Sequence, residues 1–211
     1  LKKLSRIKDI EAAKKALKLL KQATKPFFRY NILRPVDKLR EYIMLVKSGK
    51  KASLRKIKEI TREDIVEDAE ESELKEVIEM LSEFAGEKYA HYLMIVIAEK
   101  LLVKYGQYDK IDFILNELQS KYRENRSRAA EALRNFIVEG NPSEEILKKL
   151  WPRVTIEALN NGNSKVRRYS LECIREIAKR LQGKYVKEAL KIFNSAILEE
   201  LNEESFDEAL A

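Results

Sequence analysis

The chain has 211 residues and a mass of 24.7 kDa; 45% of its residues are hydrophobic, 36% are charged, and the net charge is +7. A chain of this length buries roughly 70% of the surface its unfolded form exposes, so it needs neither disulfides nor a metal to fold. The longest wholly apolar run, Tyr92 to Ala98, is far shorter than the roughly 20 residues of a membrane span, and no secretory apolar segment follows the first lysines, so no membrane partner is expected.

The predicted elements are helices. The first runs from about Ser5 to Thr24, with Ile7, Ile10, Ala13, Leu17 and Leu20 on its apolar stripe and Lys14, Lys18, Lys21 and Lys25 along another face. Pro26 ends it, because the residue before a proline is pushed out of helical geometry. A loop or short helix, Pro26 to Arg34, holds Phe27, Phe28 and Tyr30 among Lys25, Arg29 and Arg34. Pro35 suits the first turn of a second helix that ends near Gly49. A basic connector, residues 50–56, follows, and Thr61 reads as an N-cap with acids in the next turn.

From about Glu71 the helical segments recur at 71–85, 87–105, 107–122, 126–139, 143–160, 164–182 and 184–201. Glycines 49, 86, 106, 140, 162 and 183 each fall just after an apolar-periodic stretch, where positive φ closes a helix, and no segment alternates as a strand would. Ala90, Leu93, Val96 and Ile97 align with Ala130, Leu133, Phe136 and Ile137 at a shift of 40; Ala129, Leu133, Phe136 and Ile137 align with Val166, Ser170, Cys173 and Ile174 at 37. A period near 40 of paired helices predicts an all-α fold, an α-solenoid of antiparallel pairs with a helical N-terminal cap, about ten helices in all. The organisation expected is a basic helical region, 1–60, followed by one continuous array, 61–211.

The stretch Ile146-Leu-Lys-Lys-Leu-Trp-Pro152 with Leu159-Asn-Asn-Gly-Asn-Ser-Lys-Val166-Arg167, and Ser170 and Ile174 beyond, resembles a HEAT repeat. The family places a proline inside its first helix, then a polar turn, then Val-Arg opening a second helix with a small residue four positions on. Pro152, Val166, Arg167 and Ser170 take those places, while Asn163 stands where the family prefers Asp. Aligned at 37, the preceding pair has Ala130 where the arginine belongs, which implies a broken Asp–Arg ladder. The resemblance covers 143–182 well and 71–201 loosely. A tetratricopeptide array is disfavoured, because its 34-residue period and Trp-Leu-Gly pattern are missing.

Charge is segregated along the chain. Residues 1–60 carry 19 basic and 5 acidic side chains, a net of +14, and residues 61–85 carry 2 and 10, a net of −8. Such asymmetry speaks of partners rather than of fold, although the acidic segment can simply neutralise the basic one. The alignment also puts Lys88, Arg128 and Lys165 in the first turns of three successive helices, flanked by Arg126 and Arg167. Cations there oppose the helix dipole, which invites an anion-binding explanation. The anion- or nucleic-acid-binding candidates are therefore Lys14, Lys18, Lys21, Lys25, Arg29, Arg34, Lys88, Arg126, Arg128, Lys165 and Arg167.

No catalytic set, metal set or phosphate loop is legible, and no cofactor is expected. One cysteine cannot form an intramolecular bridge, which points to a reducing cytoplasm, and abundant Lys and Glu beside four Gln gives a thermophilic cast. His91 and Cys173 are read as packing residues, and Trp151 as buried. The leading expectation is a non-catalytic scaffold that binds a protein partner along an extended surface. The rival is DNA or RNA binding by the basic third and the basic column. HEAT-like folds include glycosylases acting on alkylated bases, but their site residues find no match here. The sequence leaves the oligomeric state open.

Overall fold

A computed structural model of the chain describes residues 34–48, 69–84 and 86–210, with side chains as far as Leu198. The predicted first helix, the Phe27, Phe28 and Tyr30 cluster, Lys14, Lys18, Lys21, Lys25 and Arg29, Gly49 and the Thr61 cap lie outside the described residues. The chain divides into two compact units, Leu1–Asp68 and Ala69–Ala211. Among the described residues the fold is all-α: eight α-helices, one 3-10 turn and no strand.

In the first unit the described element is α1, Pro35–Lys47, with its proline in the first turn. Val36, Leu39, Tyr42 and Ile43 are buried at helical spacing. Asp37 sits where the dipole favours an acid and pairs with Arg34 Nε at 3.1 Å and Arg40 Nη1 at 3.2 Å.

The second unit runs α2 (Glu71–Ser82), α3 (Lys88–Tyr105), a 3-10 turn (Tyr108–Lys110), α4 (Ile111–Glu117), α5 (Arg123–Glu139), α6 (Glu144–Asn160), α7 (Ser164–Leu181) and α8 (Lys184–Leu210). Helices α3, α5 and α7 pack in series, α3 on α5 and α5 on α7. Each also packs on the helix before it: α2 on α3, α4 on α5, α6 on α7. Helix α8 rests on α6 and α7. The core runs from Ile95 and Ala98 through Leu133, Phe136, Trp151 and Val154 to Ile177, Ala189 and Ile192.

Burial fixes a register that differs from the aligned one. Ala90, Ile97, Ala98, Leu101 and Leu102 of α3 take the places of Asn125, Ala132, Leu133, Phe136 and Ile137 of α5, a shift of 35 rather than 40. Asn125, Ala129, Ala132, Leu133, Phe136 and Ile137 of α5 match Val166, Ser170, Cys173, Ile174, Ile177 and Ala178 of α7 at 41 rather than 37. The physical reason is ambiguity in the pattern: α3 is apolar around most of its circumference, and 37 and 41 differ by about one helical turn, so apolar spacing fits both. The helix expected at 126–139 also starts earlier, at Arg123, behind a polar first turn. On the other side of the layer, Ile114, Glu117 and Leu118 match Val154, Glu157 and Ala158 at a shift of 40.

The glycines do not act alike. Gly106, at φ 64°, ends α3 in the left-handed conformation and its N–H closes onto the last turn. Gly140 ends α5 at φ −74°, and what it needs is room: a Cβ there would stand 2.7 Å from the Phe136 ring. Gly86 and Gly162 also lack positive φ, so the expectation that every glycine closes a helix that way is corrected for these three.

Candidate functional site

The structure places the predicted cations individually. In the observed register Lys88 is equivalent to Arg123, Arg126 to Arg167, and Lys165 to Glu124, so Lys88, Arg128 and Lys165 form no column. Arg128 lies in the second turn of α5, not the first. It pairs with Glu99 of α3 and, at 3.1 Å, with Glu131. Lys88 Nζ lies 2.9 Å from Glu124 Oε2. Lys165 is exposed in the first turn of α7. Arg34, in the first unit, pairs with Asp37.

Arg126 and Arg167 do the same thing 41 residues apart. Arg126 Nη1 donates to Ser120 O at 2.8 Å, and Arg167 Nη1 donates to Asn161 O at 3.1 Å. Each guanidinium ties down the carbonyl six residues upstream, in the loop that leads into its own helix. The counterpart of Arg167 in α5 is thus Arg126, one turn before Ala130.

Two buried asparagines join the helix starts. Asn125 Nδ2 donates to Lys88 O at 3.1 Å, and Asn163 Nδ2 donates to Arg123 O at 3.1 Å. Lys88 and Arg123 are the first residues of α3 and α5, so each asparagine holds the opening carbonyl of the preceding helix in the series. Asn163 also donates to Ser127 Oγ at 2.9 Å, while its Oδ1 accepts from Lys165 N and caps α7. An aspartate has no donor for these bonds, which explains asparagine at this place.

A polar cleft of about 440 Å³ opens between the α4–α5 loop and the C-terminal end of α6. Gln119, Ser120, Lys121, Arg126, Ile156, Glu157, Asn160, Asn161 and Gly162 line it. Glu157 is its most buried member, 1% exposed, and both of its oxygens are engaged. Gln119 Nε2 donates to Oε1 at 2.8 Å, Asn161 Nδ2 donates to Oε2 at 2.7 Å, and Arg153 Nε lies 3.3 Å from Oε1. A carboxylate so satisfied is a structural anchor. With Gln119 donating to Glu157 and Arg126 to Ser120 O, what the cleft still turns to solvent is the Lys121 ammonium and the Asn160 amide, beside the half-exposed Ile156. That mixture suits an acidic or amide-bearing chain segment with one apolar contact.

Glu117, 40 residues before Glu157, is the equivalent buried acid, and His91 Nδ1 lies 2.5 Å from its Oε1. The imidazole stacks on Phe113 at 6.4 Å. Sequence reasoning missed both acids, although each interrupts an apolar stripe, Ile114-x-x-Glu117-Leu118 and Val154-x-x-Glu157-Ala158. Trp151 is 8% exposed, meets Tyr185 edge-on at 5.2 Å and donates from Nε1 to Glu188 Oε2 at 3.0 Å.

Cys173 is wholly buried beside Ile174 and Ile177, and burial, aided by Glu172, pushes its thiol well above the usual range. Alkylation of the native protein should therefore leave it unmodified, with stoichiometric labelling only in denaturant. Rapid labelling of native protein by a thiol reagent, read by mass spectrometry, would contradict that burial. Among the described residues no group of three or more His, Cys, Asp or Glu is placed to hold a metal ion, and no helix is long and apolar enough to cross a membrane.

No family model, curated protein or solved structure matches this chain.

Proposed function

We propose that the chain is a non-catalytic interaction scaffold, a HEAT-like α-solenoid of antiparallel helix pairs that binds a protein partner along its extended helical surface. The observation that carries the reading is the recurrence of tertiary bonds within a narrow band of sequence separations. Asn125 to Lys88, Asn163 to Arg123, Gln119 to Glu157, Arg134 to Glu172, Arg153 to Leu115 and Trp151 to Glu188 all span 37 to 40 residues. Bonds that recur at nearly the same separation are what stacked similar units make, and stacked units offer broad regular faces. Fold analogy supplies the step from face to partner.

The cleft beside Lys121, Arg126 and Ile156 is the place on that surface where we put an acidic segment of the partner. Two of the three aligned helix positions offered to phosphate, Lys88 and Arg128, are held instead by Glu124 and by Glu99 with Glu131, which favours protein over nucleic acid in this unit. The test is nuclease-treated co-purification of the full chain from native extract, with the Lys121→Glu, Ile156→Asp double variant alongside. The expected result is a stoichiometric protein whose retention falls about tenfold or more in the variant, since a reversed rim charge and a lost apolar contact together exceed 1.4 kcal/mol. Helicity should not change, because both residues line an open cleft. Recovery of nucleic acid alone before nuclease treatment would overturn the reading in favour of the basic first third. Binding by about six cations would then weaken roughly a thousandfold between about 50 and about 200 mM salt.

A further inference from the structure

Among the described residues, helix α8 turns more large apolar side chains outward than any other helix of the second unit: Val186, Leu190, Ile197 and Leu198, against Val138 alone on α5 and Ile156 alone on α6. Tyr185, Ala189 and Ile192 face the core, where Ala189 and Ile192 continue the register of Trp151 and Val154 at a shift of 38. On the adjoining face Val186, Leu190 and Ile197 are 38%, 59% and 55% exposed, with Phe193 half-buried between them. Their spacing, four, three and four residues, is that of a helix seam made to meet another helix. The sequence extends it with Leu201.

The stripe is symmetric about residues 193 and 194. Turned end for end, Leu190 comes opposite Ile197 and Val186 opposite Leu201. Charge along α8 is polarised in the matching sense. Its first half carries Lys184, Lys187 and Lys191 against the single Glu188; its second half carries Glu199, Glu200, Glu203, Glu204, Asp207 and Glu208 and no base. A second α8 laid antiparallel puts the lysine half of each helix beside the acidic half of the other, whereas a parallel mate puts like charge on like.

We propose that two copies of this chain associate through α8, antiparallel, about a two-fold axis near Asn194. An isologous contact of this kind needs only one self-complementary patch, and α8 supplies both its apolar seam and its charge pairing.

The test uses the full chain. Sedimentation across the micromolar range should show a dimer, and Leu190→Glu with Ile197→Glu should make it monomeric at unchanged helicity, because both side chains are already exposed. Geometry is read by oxidative cross-linking of single cysteine variants, against a background kept low by the buried Cys173. Asn194→Cys, exposed beside the axis, should link to its own mate. Lys187→Cys should not, since at about 1.5 Å per residue the two copies of position 187 stand about 20 Å apart. A wild-type monomer throughout that range overturns the proposal. So does a dimer indifferent to the two glutamates, or one in which Lys187→Cys links as readily as Asn194→Cys, the mark of a parallel pair.

Discussion

Phe136→Ala should lower the stability of the second unit by about 3–5 kcal/mol, the range for deleting a fully buried ring whose cavity cannot collapse. Phe136 is 0% exposed, tilts against Tyr108 at a centroid distance of 5.9 Å and fills the space that Gly140 leaves at the end of α5. The helix partners of α5 on three sides, α3, α4 and α7, hold their own backbones, so little can move in to fill the void. In a domain of this size the loss corresponds to a fall in melting temperature on the order of 10 °C. Gly140→Ala should act in the same direction and more weakly, because its methyl would strike the same ring and the Phe136 carbonyl. A urea titration followed by circular dichroism measures both. A loss under about 1 kcal/mol for Phe136→Ala would mean that the ring is not packed as described.

Asn163→Asp should destabilise the protein by about 2 kcal/mol or more, against the preference of the family that the stretch around it resembles. Two effects oppose each other. An aspartate at the N-cap keeps the acceptor for Lys165 N and adds charge where the α7 dipole favours it, worth about 0.3–1 kcal/mol. It also turns the donor that serves Arg123 O and Ser127 Oγ into a buried oxygen facing a carbonyl at the former hydrogen-bond distance, which costs about 1–3 kcal/mol and more once charged. The second effect wins because Asn163 is only 1% exposed and water cannot take over. The sign of the pH dependence follows. In the folded state the new carboxyl is raised above its unfolded value, so folding binds a proton in the interval between the two. The deficit is then full at pH values above the raised folded value and shrinks as pH falls toward about 4. Asn163→Ala, which leaves a cavity but no charge, should cost about 1–3 kcal/mol with no such pH dependence. Thermal melts of the three proteins at pH 4.5 and 7, pH values chosen on either side of about 5, separate these outcomes. An aspartate variant as stable as the parent at neutral pH would rule the donor role out.

The two residues show where sequence and structure divide the work. The all-α character, the ends of α3 and α6 and the inward faces of α5 and α7 were legible, because apolar spacing, glycine and proline act over one or two helical turns. Phe136, Ile137, Val166 and Ile174 stand on the predicted stripes and are buried. The register between helices was not legible. An apolar stripe matches itself nearly as well after one more turn, so the shift of 41 that makes Arg126 the counterpart of Arg167 is settled only by which atoms meet. The same limit hid the pairing of Arg128 with Glu99 and of Lys88 with Glu124, since a charge in sequence carries no mark of its partner across 29 or 36 residues. It hid the buried acids too. In sequence Glu117 and Glu157 are two acids among many, and only the fold brings His91 against the one and Gln119 with Asn161 against the other. Local chemistry therefore determined which segments are helices and which faces they bury. Tertiary contact alone decided which cations are already held, where the polar cleft opens and which face of α8 stays uncovered, because those depend on distances between residues that the chain keeps far apart.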